Sequence, residues 1–126
     1  MTRSELPRPT DAELAILRAL WKRGPSTVRE VQEELEDSGY TTILKMLQIM
    51  TEKGLVVRDE TERAHVYAAA LTEQRTQRQL LADLMDRAFG GSPAKLVMQA
   101  LSGRKASAGD LNAIRELLDR LEGDKQ

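Results

Sequence analysis

The sequence predicts a mainly α-helical chain with one small β-hairpin, and three patterns indicate this fold class. Two helix-capping motifs, Thr10-Asp-Ala-Glu13 and Thr27-Val-Arg-Glu30, precede apolar residues at helical spacing. Residues 55–68 contain two β-branched segments separated by a polar turn. From residue 72 onward only helical periodicity recurs. The order of three helices and a hairpin is that of a winged helix-turn-helix head, followed by a three-helix tail.

The first two helices are predicted from their caps and stops. In each capping motif the threonine hydroxyl and the glutamate carboxylate can satisfy backbone N–H groups at the start of the helix. Gly24-Pro25 ends the first helix, and Gly39 follows the second. The apolar side of the first helix, which we expect to be buried, consists of Leu14, Leu17, Leu20 and Trp21.

The third helix is predicted for residues 41–53, with Gly54 just past its end, and it carries a polar stripe. Ile43, Leu47 and Met50 recur on the opposite side and can be buried. In this fold the third helix occupies the major groove of DNA, where threonine, lysine and glutamine can reach bases or phosphates. A solvated helix surface is the alternative interpretation of the stripe. The candidate contacts are Thr41, Thr42, Lys45 and Gln48.

The hairpin is predicted to form the wing, with strands at residues 55–60 and 64–68. Period-two alternation leads us to expect Val57, Ala64 and Val66 on the inner side, and Arg58, His65 and Tyr67 on the outer side. The two arginines of the wing, Arg58 and Arg63, are candidates to hold DNA phosphates. The alternative is that they only keep the hairpin soluble.

The tail is predicted to make a homodimer. Its three helices have apolar faces that a head of about 60 residues with its own core cannot easily cover. Leu111, Ile114, Leu118 and Leu121 also follow the spacing of a coiled-coil seam. A monomer whose tail folds back on its head is the alternative. The predicted dimerisation residues are Leu80, Leu84, Leu96, Leu111, Ile114, Leu118 and Leu121. The predicted domains are a flexible arm (1–9), a winged-helix DNA-binding domain (10–71) and a helical dimerisation domain (72–126).

The charge of the chain argues mildly against nucleic acid, because its formal net value is −1. The placement of charge can still give the head a positive side. The acidic residues of the second helix are Glu30, Glu33, Glu34 and Glu36. The basic residues of the third helix and hairpin are Lys45, Lys53, Arg58 and Arg63. We therefore expect a dipolar head that binds DNA weakly by itself and depends on dimerisation.

The composition excludes several other classes of protein. The chain has no cysteine, so disulfides, thiolate zinc sites and thiol catalysis are excluded. His65 is the only histidine, and the carboxylates are scattered without a partner in register. We therefore predict no catalytic residue, no metal site, no cofactor and no enzymatic activity. The sequence lacks an apolar run of the ~20 residues that span a bilayer, and it lacks a signal-peptide core, so we predict a cytoplasmic protein.

Three stretches carry a resemblance to a known family: Pro9–Trp21, then Tyr40–Gln48 with Glu52–Leu55, and Arg63–Tyr67. The sequence resembles the penicillinase-repressor family, which includes methicillin-resistance and copper-responsive repressors. The resemblance covers about residues 8–101. It implies a winged-helix head, a dimerisation tail and repression of genes through a palindromic operator in double-stranded DNA. In the family the third helix and the wing contact DNA, which implies the same six residues as above: Thr41, Thr42, Lys45, Gln48, Arg58 and Arg63.

The chain departs from the family pattern at three places. Ile49 stands where many members have arginine. Relatives that control β-lactamase are released when a membrane sensor-protease pathway triggers cleavage between Asn and Phe, and the matching pair here is Gln99-Ala100. Copper-responsive relatives carry a cysteine cluster that this chain lacks. Two other hypotheses are a protein-interaction module, docking through the acidic second helix, and a small-molecule-responsive regulator.

Overall fold

A computed structural model describes residues 8–103 and 105–124, and within these ranges the chain forms six helices and two strands. In chain order they are α1 (Asp11–Arg23), α2 (Val28–Glu34), α3 (Tyr40–Lys53), β1 (Val56–Asp59), β2 (Val66–Ala69), α4 (Glu73–Ala88), α5 (Pro93–Gly103) and α6 (Ala108–Asp124). The prediction of a mainly helical chain with one hairpin is confirmed. The predicted flexible arm lies outside the described residues except for residues 8 and 9.

Both predicted capping motifs form. The Thr10 hydroxyl accepts a 3.2 Å hydrogen bond from the Glu13 N–H, and the Glu13 carboxylate accepts one of 2.9 Å from the Thr10 N–H. Thr27 and Glu30 repeat the arrangement at the start of α2. At the far end of α3, Gly54 adopts the left-handed conformation with φ of 83°, which a residue with a side chain rarely adopts. Local chemistry therefore fixes where these helices begin and end.

The core of the head lies between α1, α2, α3 and the hairpin. The predicted inner side of α3 is confirmed, because Ile43, Leu47 and Met50 are each exposed by 1% or less. The indole N–H of Trp21 donates a 3.0 Å hydrogen bond to the Leu71 carbonyl, which ties α1 to the chain segment that follows β2. The remaining buried apolar residues are Ile16, Leu17, Ala19, Leu20, Val28, Val31, Leu55, Val56 and Tyr67.

The predicted alternation of inner and outer side chains is wrong at Val57 and Tyr67, because the actual alternation is shifted by one residue. Tyr67 is 1% exposed and part of the core, whereas Val57, expected inside, is 57% exposed. The cause is a bridge to Ser26, whose N–H donates to the Tyr67 carbonyl at 2.9 Å and whose carbonyl accepts from the Tyr67 N–H at 2.7 Å. Since side chains alternate along a strand, this pairing turns Val56 inward with Tyr67. Arg58 pairs with Tyr67 in the antiparallel register, so it lies on the same side of the hairpin and not on the outer one.

The described residues form two compact units that divide inside α4. The first extends to Leu81 and the second begins at Ala82, whereas the sequence placed a domain boundary between residues 71 and 72. In the second unit, α5 and α6 contain no buried residue. Among the described residues, no helix combines the length and the apolar character that crossing a membrane requires.

The predicted dimerisation residues remain accessible within one chain. Leu84, Leu118 and Leu121 are about half exposed, at 50%, 53% and 50%. The other four are half-buried, and they are Leu80, Leu96, Leu111 and Ile114. Further large apolar side chains on the tail helices are exposed beside them, namely Leu81, Val97, Met98, Leu101 and Leu117.

An ion pair between Glu13 and Lys53 joins the start of α1 to the end of α3. The Lys53 Nζ lies 2.8 Å and 3.0 Å from the two carboxylate oxygens of Glu13, which is only 6% exposed. Burial raises the pKa of Glu13, but the hydrogen bond from Lys53 and those from Thr10 outweigh it, so the pKa is lowered overall. The pair therefore holds α3 against α1 in its ionised form.

Replacing Glu13 with glutamine is expected to lower the free energy of unfolding by about 1–2 kcal/mol at neutral pH, since a charge-assisted hydrogen bond is lost. Because the pKa of Glu13 is lowered on folding, the contribution exists above its unfolded-state pKa and disappears as the pH falls through the folded-state pKa. Urea unfolding at neutral pH and near pH ~3 measures this. The exposed Glu62→Gln serves as the control. If the free energies of unfolding of wild type and Glu13→Gln differed by the same amount at both pH values, the proposed role of the ion pair would be contradicted.

Candidate nucleic-acid interface

The exposed side of α3 carries all four of its predicted DNA-contact residues. We call this surface the α3 outer face, and its exposed members are Thr41, Thr42, Lys45, Gln48, Ile49 and Glu52. The buried residues of α3 lie on the other side of the helix, so the core fixes which side chains face solvent. A helix of 14 residues is about 21 Å long, which is enough to lie in a major groove.

Lys45 is the central cation of the α3 outer face. It forms no ion pair with any residue in the described part of the chain, so its ammonium group is available to a phosphate or a base. The sequence also led us to count Lys53 toward a positive surface, and this expectation needs correction. Glu13 binds the ammonium group of Lys53 and compensates its charge within the head.

Two cations of α1 lie beside three of the four acidic residues that the sequence assigned to the second helix. Arg23 lies 3.0 Å from Glu33 and 3.4 Å from Glu34, and Lys22 lies 3.1 Å from Glu34. The hydrogen bond and charge of Lys22, supplemented by Arg23, lower the pKa of Glu34. Arg23 also lies 3.8 Å from Glu30. Because these carboxylates have cationic partners beside them, a head with more acidic than basic residues can still present a positive side elsewhere.

The wing brings its two arginines into different environments. Arg58 Nε donates a 2.7 Å hydrogen bond to Glu60. The pKa of Arg58 is raised, mainly by a hydrogen bond with Tyr67 and secondly by the one with Glu60. Arg63 lies in the exposed loop between β1 and β2 and forms no ion pair within the described ranges. Arg63 is therefore ready to contact a phosphate, whereas Arg58 must first exchange its carboxylate partner.

The start of the wing loop is held by Asp59. Its carboxylate accepts hydrogen bonds of 2.9 Å and 2.7 Å from the N–H and hydroxyl of Thr61, and these lower the pKa of Asp59. The side chain thus replaces a backbone turn at the end of β1. The loop that follows is longer than the three-residue turn that the sequence predicted, because β2 begins only at Val66.

A cleft of about 460 Å³ separates the wing from the first turns of α2 and α3. Arg63 and His65 line it from the wing, and Arg29 and Tyr40 line it from the helices. The guanidinium carbon of Arg29 lies 5.9 Å from the centre of the Tyr40 ring, a cation–π distance. The ring of Tyr40 therefore packs against Arg29 at the start of α3.

Arg29 is a candidate phosphate contact that the sequence reasoning missed. It lies inside the capping motif of α2, so its position was explained by the cap alone. The signal that could have found it is a basic residue in the first turn of the helix before α3, with an aromatic residue at the start of α3. The structure brings Arg29 and Arg63 to opposite sides of one cleft, beside the end of α3 that carries Thr41.

Residues 9–120 match the family model of the penicillinase repressor. The chain belongs to the penicillinase repressor family. It is similar to the transcriptional regulator BlaI of Mycobacterium tuberculosis, with 34% identity over 125 residues that cover 94% of this chain and 88% of the relative. It is also similar to the penicillinase repressor of Bacillus licheniformis, with 23% identity over 97% of this chain and 98% of the relative.

A solved MarR family transcription regulator has the same kind of fold. It superposes with a TM-score of 0.53 and 24% identity, covering 92% of this chain and 73% of that regulator. This likeness confirms the winged-helix fold. Membership of the penicillinase repressor family makes the protein a DNA-binding transcriptional repressor and not an enzyme.

The chemistry of the head agrees with this family. The described residues include no group of three histidine, aspartate or glutamate side chains able to hold a metal ion. What the head does present is an exposed helix with hydrogen-bonding side chains and a basic cleft at one end of it. Side chains of these two kinds are the ones that proteins use to contact the phosphates of a nucleic acid.

Proposed function

We propose that this penicillinase repressor family member acts as a homodimer, which represses its target genes by occupying a palindromic operator. The observation that carries the proposal is the exposed apolar surface of the tail. Leu84, Leu118 and Leu121 are each about half exposed, and α5 and α6 bury no residue within one chain. Such a cluster of large apolar side chains exposed to water indicates a surface that binds a partner.

A second copy of the tail is the occupant that fits this surface. Leu111, Ile114, Leu118 and Leu121 form one stripe along α6, and a two-fold axis brings such a stripe against an identical one. The contact is self-complementary, since each copy offers the same apolar surface. This assignment supports the predicted division into a DNA-binding domain, residues 10–71, and a dimerisation domain, residues 72–126.

The α3 outer face is the proposed base-reading element. Gln48 can bond an adenine in two places, Lys45 can reach guanine or phosphate, and Thr41 and Thr42 can bond phosphate oxygens. In the wing, Arg63 is proposed to hold a flanking phosphate, and Arg58 joins it where DNA displaces Glu60. A dimer repeats each of these contacts in the second half-site.

Dimerisation matters because one head offers few uncompensated cations. The ion pairs of Lys53 and Arg58 remove two of the four cations that the sequence assigned to the positive side. A single head should therefore bind weakly, and joining two heads raises the affinity through effective concentration.

The proposed binding to chromosomal DNA also supports the predicted cytoplasmic location.

Release from DNA is proposed to differ from that of the β-lactamase regulators. The resemblance to the family implies a cleavage site between Asn and Phe, and Gln99-Ala100 of α5 stands at that place. We therefore do not extend the sensor-protease pathway to this chain.

Selection of bound fragments from the source genome tests the proposed function. We expect the 126-residue chain to enrich fragments that share an inverted repeat, with half-site centres about 10 base pairs or a multiple of that apart. A footprint should protect both halves equally. Enrichment of a single unrepeated half-site would contradict the dimer, and failure to enrich any sequence would contradict operator recognition.

A further inference from the structure

Ile49 is an apolar side chain on a surface that is otherwise polar. It is 42% exposed, whereas the isoleucine, leucine and methionine on the inner side of α3 at positions 43, 47 and 50 are almost fully buried. Ile49 does not belong to the core of the head or to the partly buried side chains packed against that core. Its side chain is therefore available to a partner of the α3 outer face.

The position of Ile49 on the helix sets what it can reach. Thr42, Lys45 and Ile49 follow i, i+3 and i+7, so they form one row along the α3 outer face, and Gln48 lies beside it. A helix that inserts Lys45 and Gln48 into the major groove also brings Ile49 toward the floor or the wall of that groove. The major groove displays one apolar group, the C5-methyl of thymine.

We propose that Ile49 determines part of the operator sequence by packing against the methyl group of a thymine in each half-site. This inference rests on the proposed function, since it needs α3 in the major groove. A β-branched side chain is stiff and loses little conformational entropy when it becomes buried. An arginine at this position would instead favour guanine, to which it can donate two hydrogen bonds.

The test uses the DNA duplex that the wild-type protein itself selects from a random-sequence library. Each thymine of one half-site is replaced in turn by uracil, which removes only the methyl group. We expect one or two positions at which this replacement weakens wild-type binding about fourfold per methyl, the effect of burying one such group. Replacing a thymine outside the footprint is the DNA control.

Two variants test whether Ile49 causes the methyl effect, which is the loss of affinity when uracil replaces thymine. In Ile49→Ala the thymine and uracil duplexes should bind equally, whereas Ile49→Val should keep part of the difference. A variant that only destabilised the head would weaken both duplexes alike and keep their ratio. Lys45→Ala is the matched control on the same row, and it should lower the affinity for both duplexes while retaining the methyl effect.

The outcomes separate this inference from the proposed function. Failure to select any sequence would overturn both. A selected inverted repeat that binds with the same affinity after every uracil replacement would overturn the role of Ile49 and leave the repressor dimer standing. A methyl effect that persists undiminished in Ile49→Ala would likewise overturn it.

Discussion

Replacing Leu118 with glutamate is expected to convert the protein into a monomer and to lower operator affinity about 100-fold or more. Leu118 is 53% exposed in one chain and lies on the apolar stripe of α6. In a two-fold dimer the substitution places two like charges in an apolar contact, and both would lose their water. Light scattering measures the mass, and a gel shift with the selected duplex measures the affinity.

The matched control for this change is Asn112→Glu. Asn112 lies on the opposite side of α6, where it accepts a 3.2 Å hydrogen bond from Arg115, and an added carboxylate can keep that partner. This variant carries the same added charge and should remain a dimer with wild-type affinity. Circular dichroism should show the same helical content in both variants. A dimeric Leu118→Glu protein that binds the operator normally would show that the stripe is not the interface.

Removing Lys45 and Gln48 together, as Lys45→Ala with Gln48→Ala, is expected to weaken operator binding about 100-fold. Both side chains are exposed on the α3 outer face, so their loss costs contacts with DNA and little folding energy. The Gln48 change should also relax the preference for one base in each half-site, whereas the Lys45 change should reduce the dependence of affinity on salt. Titrations at several salt concentrations against the selected and a scrambled duplex separate the two effects.

The control for the charge removed is Lys22→Ala. Lys22 pairs with Glu34 on the side of the head formed by α1 and α2, and an exposed pair of this kind contributes little stability. Its loss should leave operator binding close to that of wild type. If the double variant and Lys22→Ala both bound with wild-type affinity, α3 would not be the DNA-reading helix.

The elements that the sequence predicted well are those fixed by neighbouring residues. The capping motifs begun by Thr10 and Thr27 involve side chains three positions apart, and Gly54 stops α3 by its own backbone conformation. The inner and outer sides of α3 follow from helical periodicity, so the exposure of Lys45 and Gln48 could be predicted in the same way.

The features that the sequence did not reveal depend on distant residues. Tyr67 is buried because its backbone pairs with Ser26, and alternation within the hairpin alone cannot reveal that register. Lys53 looked like a free cation because Glu13, its partner, is 40 positions away in the chain.

The electrostatics of the candidate interface were partly predictable for the same reason. The sequence shows the four cations of α3 and the hairpin, but packing decides which of them keep an uncompensated charge. Arg58 bonds Glu60 while Arg63 forms no ion pair in the described ranges, and Arg29 joins the cleft from another helix. The apolar stripe of the tail was visible from its spacing, whereas its exposure required the folded chain.

Light scattering of the 126-residue chain, alone and on one selected duplex, tests most directly whether two chains present two copies of α3 to one operator. We expect a mass of twice the 14.1 kDa of one chain in solution, and two chains per duplex on the DNA. A protein that remains at 14.1 kDa, or a saturated complex with one chain per operator, would contradict the proposed repressor dimer.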